Sequence, residues 1–195
     1  MVEFIKKNKK LYNLSNWQGG KTSEVYIYPE NTDYKKRNFE FRFSYATSVE
    51  LAESTFTLLK GFNRIIIPTK QGITLLNNSK KHNLKLEESF YFSGGEQTTS
   101  IGKSEDVNLI YQPQWNATMQ IMKESSKIFS TAEFVGIFSL NGSNEILVNQ
   151  ERVKLFEKEF LMIKNSCMEK LLLEFSQDNN NRIVIFNLKK GKDYG

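Results

Sequence analysis

The chain has 195 residues, 39% of them hydrophobic, with 15 Phe, 8 Tyr and a formal net charge of +5, which is ample material for a buried core. One histidine, His82, and one cysteine, Cys167, exclude an internal disulfide and any zinc or non-haem iron site built within the chain from the usual nitrogen and sulfur ligands, and they leave Ser-His-Asp and Cys-His mechanisms no base except His82. No apolar run approaches the ~20 residues of a spanning helix, and Lys6, Lys7, Lys9 and Lys10 lead into no apolar stretch of the kind a secretory signal needs.

These features predict a cytoplasmic protein without metal, cofactor or membrane contact. The basic residues are scattered as Lys35-Lys36-Arg37, Lys80-Lys81 and Lys189-Lys190. That distribution reads as a solvated surface, with none of the patterns of nucleic-acid-binding motifs.

Residues 1–15 mix charge with Phe4, Ile5, Leu11, Tyr12 and Leu14 and fit either a leading strand or a turn. Trp17-Gln18-Gly19-Gly20 is a turn, and 24–28 a strand stopped by Pro29. A polar loop at 29–38 precedes the clearest strand, 39–47. There Phe39, Phe41, Phe43 and Tyr45 alternate with Glu40, Arg42, Ser44 and Ala46, so one face is aromatic and the other carries Arg42 and Ser44. Residues 48–54 read as a loop or helical turn and 55–59 lead to a turn at Gly61. Strands follow at 64–67 and 73–76, with Arg64 at a barrel rim. Then come a polar loop at 77–83, a strand at 90–92 and another at 107–112.

The second half repeats this style, with strands predicted at 117–122, 127–130, 134–140, 146–148, 160–163, 170–175 and 182–188. Turns fall at Asn141-Gly142 and 178–181. No stretch sustains a helical period. An internal repeat is suggested by Gly72-Ile73 followed by Leu86–Phe90 and Gly136-Ile137 followed by Phe156–Phe160. Many short strands with closely spaced turns predict an all-β sandwich or barrel.

Four motifs occur in order between residues 14 and 112: Trp17-x-Gly-Gly-x-Thr22-x-Glu24, Phe41-Arg42-x-Ser44, Phe56 leading to Gly61-Phe62-Asn63-Arg64, and Asp106-x-Asn108. Together they resemble the HutD/Ves family. Two departures stand out: Phe41 precedes Arg42 where the family usually has Trp, and Gln18-Gly19-Gly20 replaces a turn that usually carries Asn or an extra Gly. The resemblance implies a double cupin, two jelly-roll-like barrels in one chain. The first would span 1–112 and carry the motifs, and the second would span 113–195 and pack on the first. It also implies a protein associated with histidine utilisation that binds a small acidic metabolite, such as a formylated amino acid or a urocanate-like acid, and modulates the pathway. A homodimer is compatible with it.

The candidate ligand-binding residues are Trp17, Thr22, Glu24, Arg42, Ser44, Arg64, Asp106 and Asn108. Thr22 and Glu24 share a strand face, as do Asp106 and Asn108. Arg42, in mid-strand between two Phe, must be paired or bind an anion if it is buried, and Glu24 or Asp106 is its candidate partner. A structural brace is the alternative role for Arg42, and core packing the alternative for Trp17. We assign no catalytic residue. Two other functions remain open. One is a metal-independent cupin enzyme of isomerase or lyase type, using Glu24 or Asp106 as base. The other is a basic protein- or nucleic-acid-binding module, which the separation of the aromatic face from Arg42 disfavours.

Overall fold

The computed structural model describes residues 1–17, 19–48, 53–176 and 181–191. Strand β1 (Val2–Lys7) opens the chain, and a 3-10 turn at Lys9–Leu11 follows it. Next come β2 (Asn13–Trp17), β3 (Gly20–Tyr28), β4 (Phe41–Ser48), β5 (Glu53–Thr55) and β6 (Asn63–Pro68). A hairpin of β7 (Ile73–Asn77) and β8 (Lys80–Leu84) precedes β9 (Phe90–Ser93), β10 (Thr98–Ile101) and β11 (Glu105–Tyr111). The rest of the chain forms β12 (Trp115–Met122), β13 (Ser126–Ser130), β14 (Phe134–Asn141), β15 (Asn144–Val148), β16 (Glu151–Leu155), β17 (Phe160–Asn165), β18 (Leu171–Ser176) and β19 (Arg182–Lys190). The turn expected at 178–181 lies, except for Asn181, outside the described residues, as do 49–52 of the segment expected at 48–54 and Gln18 of the first turn.

The chain is all-β and divides into two compact units, one of Tyr12–Pro113 and one of Met1–Leu11 with Gln114–Gly195. In the first, a six-stranded sheet runs β2-β3-β4-β11-β6-β9 and a four-stranded sheet runs β5-β10-β7-β8. Ile66 and Phe92 of the larger sheet pack with Ile73, Leu75 and Leu84 of the smaller. The second unit pairs β1-β17-β14-β19-β12 with β13-β18-β15-β16. Val135, Ile163 and Ile185 there meet Ile146, Leu171 and Leu173.

No sheet of the described residues closes into a barrel, in contrast to the expectation of closed barrels. Each unit is two open sheets joined by a shared apolar core, the double-sheet solution to burying strand faces. The first eleven residues also differ from the expected 1–112 unit. Phe4 pairs with Ile163, and Val2 and Phe4 pack on the core of the 114–195 unit.

Strand order exposes the internal repeat. The neighbours β4-β11-β6-β9 correspond to β12-β19-β14-β17, and β5-β10-β7-β8 to β13-β18-β15-β16. The sequence alignment through Gly72-Ile73 and Gly136-Ile137 is therefore out of register, because the hairpin beginning at Ile73 corresponds to the one beginning at Asn144. Phe90 and Phe160, by contrast, do open corresponding strands.

Residues 77–83 are not a polar loop. Only Asn78 and Ser79 turn, both at positive φ (45 and 66), a two-residue hairpin of the tight primed kind. Lys80 and Lys81 are strand residues whose side chains stay exposed. His82 sits in β8 opposite Leu75, its ring 4.5 Å from that of Phe90.

Candidate functional site

Strand β4 sets the site. Phe41 and Phe43 are fully buried on one face, Phe41 stacking on Tyr28 at 5.1 Å. Alternation then sends Arg42 and Ser44 to the opposite face. Phe39 departs from the predicted aromatic face. The chain bends at Glu40, before the strand begins, and Phe39 joins Ile27, Leu59, Phe62 and Ile110 on the Arg42 side.

Register turns this face into three rungs. Ile27, Arg42, Ile110 and Arg64 lie in one row across β3, β4, β11 and β6. Glu24, Ser44, Asn108 and Ile66 form the next, and Thr22, Ala46, Asp106 and Pro68 the third. An irregularity between Glu24 and Tyr26 inserts Val25 as an extra residue. The extra residue keeps both Glu24 and Ile27 on the inward face.

A cavity of about 550 Å³ lies over these rungs, its far wall supplied by Ser54 and Thr55 of β5, Ser100 of β10 and Ile73 of β7. Trp17, Thr22, Arg42, Ser44, Arg64, Asp106 and Asn108 all line it. Glu24 does not. It holds Arg42, whose Nε donates to Glu24 Oε2 at 2.6 Å with both side chains largely buried, and it accepts from the Asn13 amide at 3.1 Å. Arg42 also donates to Ser44 Oγ at 3.3 Å. At the mouth, Trp17 Nε1 donates to Thr22 Oγ1 at 3.0 Å. Gly20 is required beneath that indole, since a Cβ there would lie 2.3 Å from the Thr47 carbonyl oxygen and 2.6 Å from the Trp17 ring.

Arg64 is not at a rim. It lies within β6, between β11 and β9, and is 3% exposed. Its guanidinium donates to the Thr57 carbonyl and lies 5.5 and 5.8 Å from the Phe56 and Phe92 ring centres. Its Nε has no hydrogen-bond partner among the described residues, and no carboxylate of those residues forms an ion pair with it. Burial pushes its pKa down. Tyr34 works the other way, and Arg42 adds to the lowering.

Asp106 lies along β11 from Ile110, the neighbour of Arg64, by four residues, or about 13 Å of extended strand. It therefore stands at the other end of the cavity and is not beside the arginines. It retains partial exposure, yet burial pushes its carboxyl up to about 7. Because of this, it carries only part of a full negative charge at neutral pH.

A family model described as HutD matches residues 9–181. This chain belongs to the HutD family. Its fold is similar to that of HutD from Pseudomonas fluorescens (TM-score 0.77, 24% identity, covering 97% of this chain and 100% of that one). It is also similar to that of a conserved protein of unknown function from Pseudomonas aeruginosa (TM-score 0.85, 20% identity, 96% and 100% covered). A cupin 2 conserved barrel domain protein from Leptotrichia buccalis aligns with TM-score 0.53 at 8% identity, over 77% of this chain and 84% of that one. At these identities the likeness concerns the fold, which is cupin-like. No curated protein sequence matches.

Each of the four sequence motifs thus contributes residues to one cavity. Among the described residues no group of three or more His, Cys, Asp and Glu could hold a metal ion. Two contributions escaped sequence reading. The smaller sheet supplies a wall through Ser54, Thr55 and Ser100, residues with no distinctive spacing. Tyr34, in the polar loop 29–38, enters the cavity with its ring 4.3 Å from Arg42 Cζ. A lone aromatic in a charged loop was the available signal.

Proposed function

We propose that this HutD-family chain binds a small carboxylic acid in the cavity of the Tyr12–Pro113 unit and serves as a ligand-responsive modulator of histidine utilisation in the cytoplasm. Arg64 carries the reading. A guanidinium buried without a carboxylate is costly unless it meets an anion, and its planar fork matches a carboxylate. Arg42, neutralised by Glu24, braces that end of the cavity and adds no free charge. Formylated amino acids and urocanate-like acids are the ligands to test first.

Thermal-shift and calorimetric titration of the wild type and Arg64→Ala with these acids tests the proposal. A ligand at 100 times its dissociation constant should stabilise the wild type by about 2.7 kcal/mol, and the variant should lose that gain. Wild-type protein indifferent to every acid, or Arg64→Ala binding as well as the parent, would sink it.

One observation favours a second reading, a metal-independent cupin enzyme. A cavity carboxyl with a pKa of about 7 suits a general base near neutral pH. Turnover of the same acids, abolished by Asp106→Asn, would select it. The nucleic-acid reading finds no support at β4, since Phe41 and Phe43 are 0% exposed and offer no face to a base.

A further inference from the structure

We infer that Tyr34 caps the arginine end of the cavity, holding Arg42 against Glu24 and presenting its hydroxyl beside Arg64 to an anion bound there. The inference rests on the proposed carboxylate site and assigns it a positioning and specificity residue outside the four motifs.

Three observations aim this side chain. The loop around it is pinned. The Asn38 side chain accepts from the Asp33 amide at 2.9 Å, the Asp33 carboxylate accepts from the Lys35 amide at 2.6 Å, and the Tyr34 carbonyl accepts from the Arg37 amide at 3.3 Å. Asp33 and residues 35–38 are exposed, whereas Tyr34 turns inward. It packs on the Ile27, Phe39, Leu59, Phe62 and Ile110 cluster, 5.9 Å from the Phe39 ring.

The side chain then meets the Arg42 guanidinium and lines the same cavity as Arg64. Its ring lies over Arg42, a cation–π arrangement that leaves Arg42 facing Glu24 and Ser44. Tyr34 also packs on the cluster that holds Ile110, the residue opposite Arg64, so its hydroxyl is on the Arg64 side of the cavity, and its influence there favours the charged guanidinium. A phenol placed there has its own proton to donate. A carboxylate at Arg64 would receive that proton's hydrogen bond as well as those of the guanidinium. With Arg42 6% and Arg64 3% exposed, removal of the ring would open this end to water.

The experiment compares the full chain with Tyr34→Phe and Tyr34→Ala. Acetate and formate are titrated calorimetrically into each. In parallel, phenylglyoxal labelling of Arg42 and Arg64 is read residue by residue by mass spectrometry in the absence of any carboxylate. Tyr34→Phe keeps the ring, so its melting temperature should match the wild type, while acetate affinity falls roughly tenfold for the loss of one hydrogen bond to a charged group. Tyr34→Ala should bind more weakly still, and its two arginines should label several-fold faster.

Unchanged acetate affinity in Tyr34→Phe, where the wild type binds acetate, overturns the inference. So does equal labelling of the wild type and Tyr34→Ala. If the wild type binds no carboxylate, the proposed function fails and the labelling alone decides whether Tyr34 caps the arginines.

Discussion

Replacing Arg42 with Ala should destabilise the Tyr12–Pro113 unit by about 3 kcal/mol. The substitution removes the contact to Glu24 at 2.6 Å, the bond to Ser44 Oγ at 3.3 Å and the ring contact with Tyr34 at 4.3 Å. It leaves behind a Glu24 side chain only 13% exposed. Removing one partner of a buried pair costs about 3–5 kcal/mol, because the other charge stays buried and uncompensated. Glu24 keeps the Asn13 amide at 3.1 Å, and the truncated side chain leaves room for water, so the lower end applies. With a urea m-value of about 2 kcal/mol/M, the midpoint should fall by about 1.5 M. Urea unfolding followed by fluorescence measures it, Trp17 reporting on this unit.

Neutralising both partners, as Glu24→Gln with Arg42→Met, should recover most of the loss, because well-packed neutral replacements of a buried pair are often nearly neutral in stability. The double-mutant cycle through Glu24→Gln and Arg42→Met should give a coupling of about 2 kcal/mol. An Arg42→Ala cost below about 1 kcal/mol, or additive single effects, would refute the view of Glu24–Arg42 as a dependent buried pair.

Asp106 gives a pH signature. Its folded-state pKa is raised from 3.8 to about 7, so the folded state holds the proton more tightly than the unfolded one. Its contribution to stability falls as pH rises from about 4 to 7, and the penalty is complete above that. Asp106→Asn should flatten this slope, gaining up to about 4 kcal/mol over the parent at pH 8 relative to pH 4, as measured by denaturation at several pH values. In the other unit, a Cβ at Gly136 would lie 2.1 Å from Cζ of the fully buried Phe186. Gly136→Ala should therefore cost about 1–3 kcal/mol by overpacking, and adding Phe186→Leu should return part of the melting temperature. Gly20→Ala should break the Trp17–Thr22 bond and shift the Trp17 emission maximum, because the Thr47 carbonyl in its way is backbone and cannot rotate aside.

The strand alternation at 41–44, the motifs that reach one cavity, the scarcity of His and Cys and the family resemblance were all legible in the sequence. These are properties of period, residue type and order, and the side-chain period of two carries directly from chain to sheet face. Burial of Arg64, the position of Tyr34 and the separation of Asp106 from the arginines depended on which strands became neighbours. Arg64 is buried because β6 lies between β11 and β9, a pairing no local spacing encodes. Phe39 changed faces because one bend at Glu40 resets the alternation. The first strand joined the unit formed by residues 114–195 because Val2 and Phe4 found their apolar partners there. Nonlocal pairing made these assignments, since a short apolar strand specifies that it must be covered and leaves the covering surface to the rest of the chain.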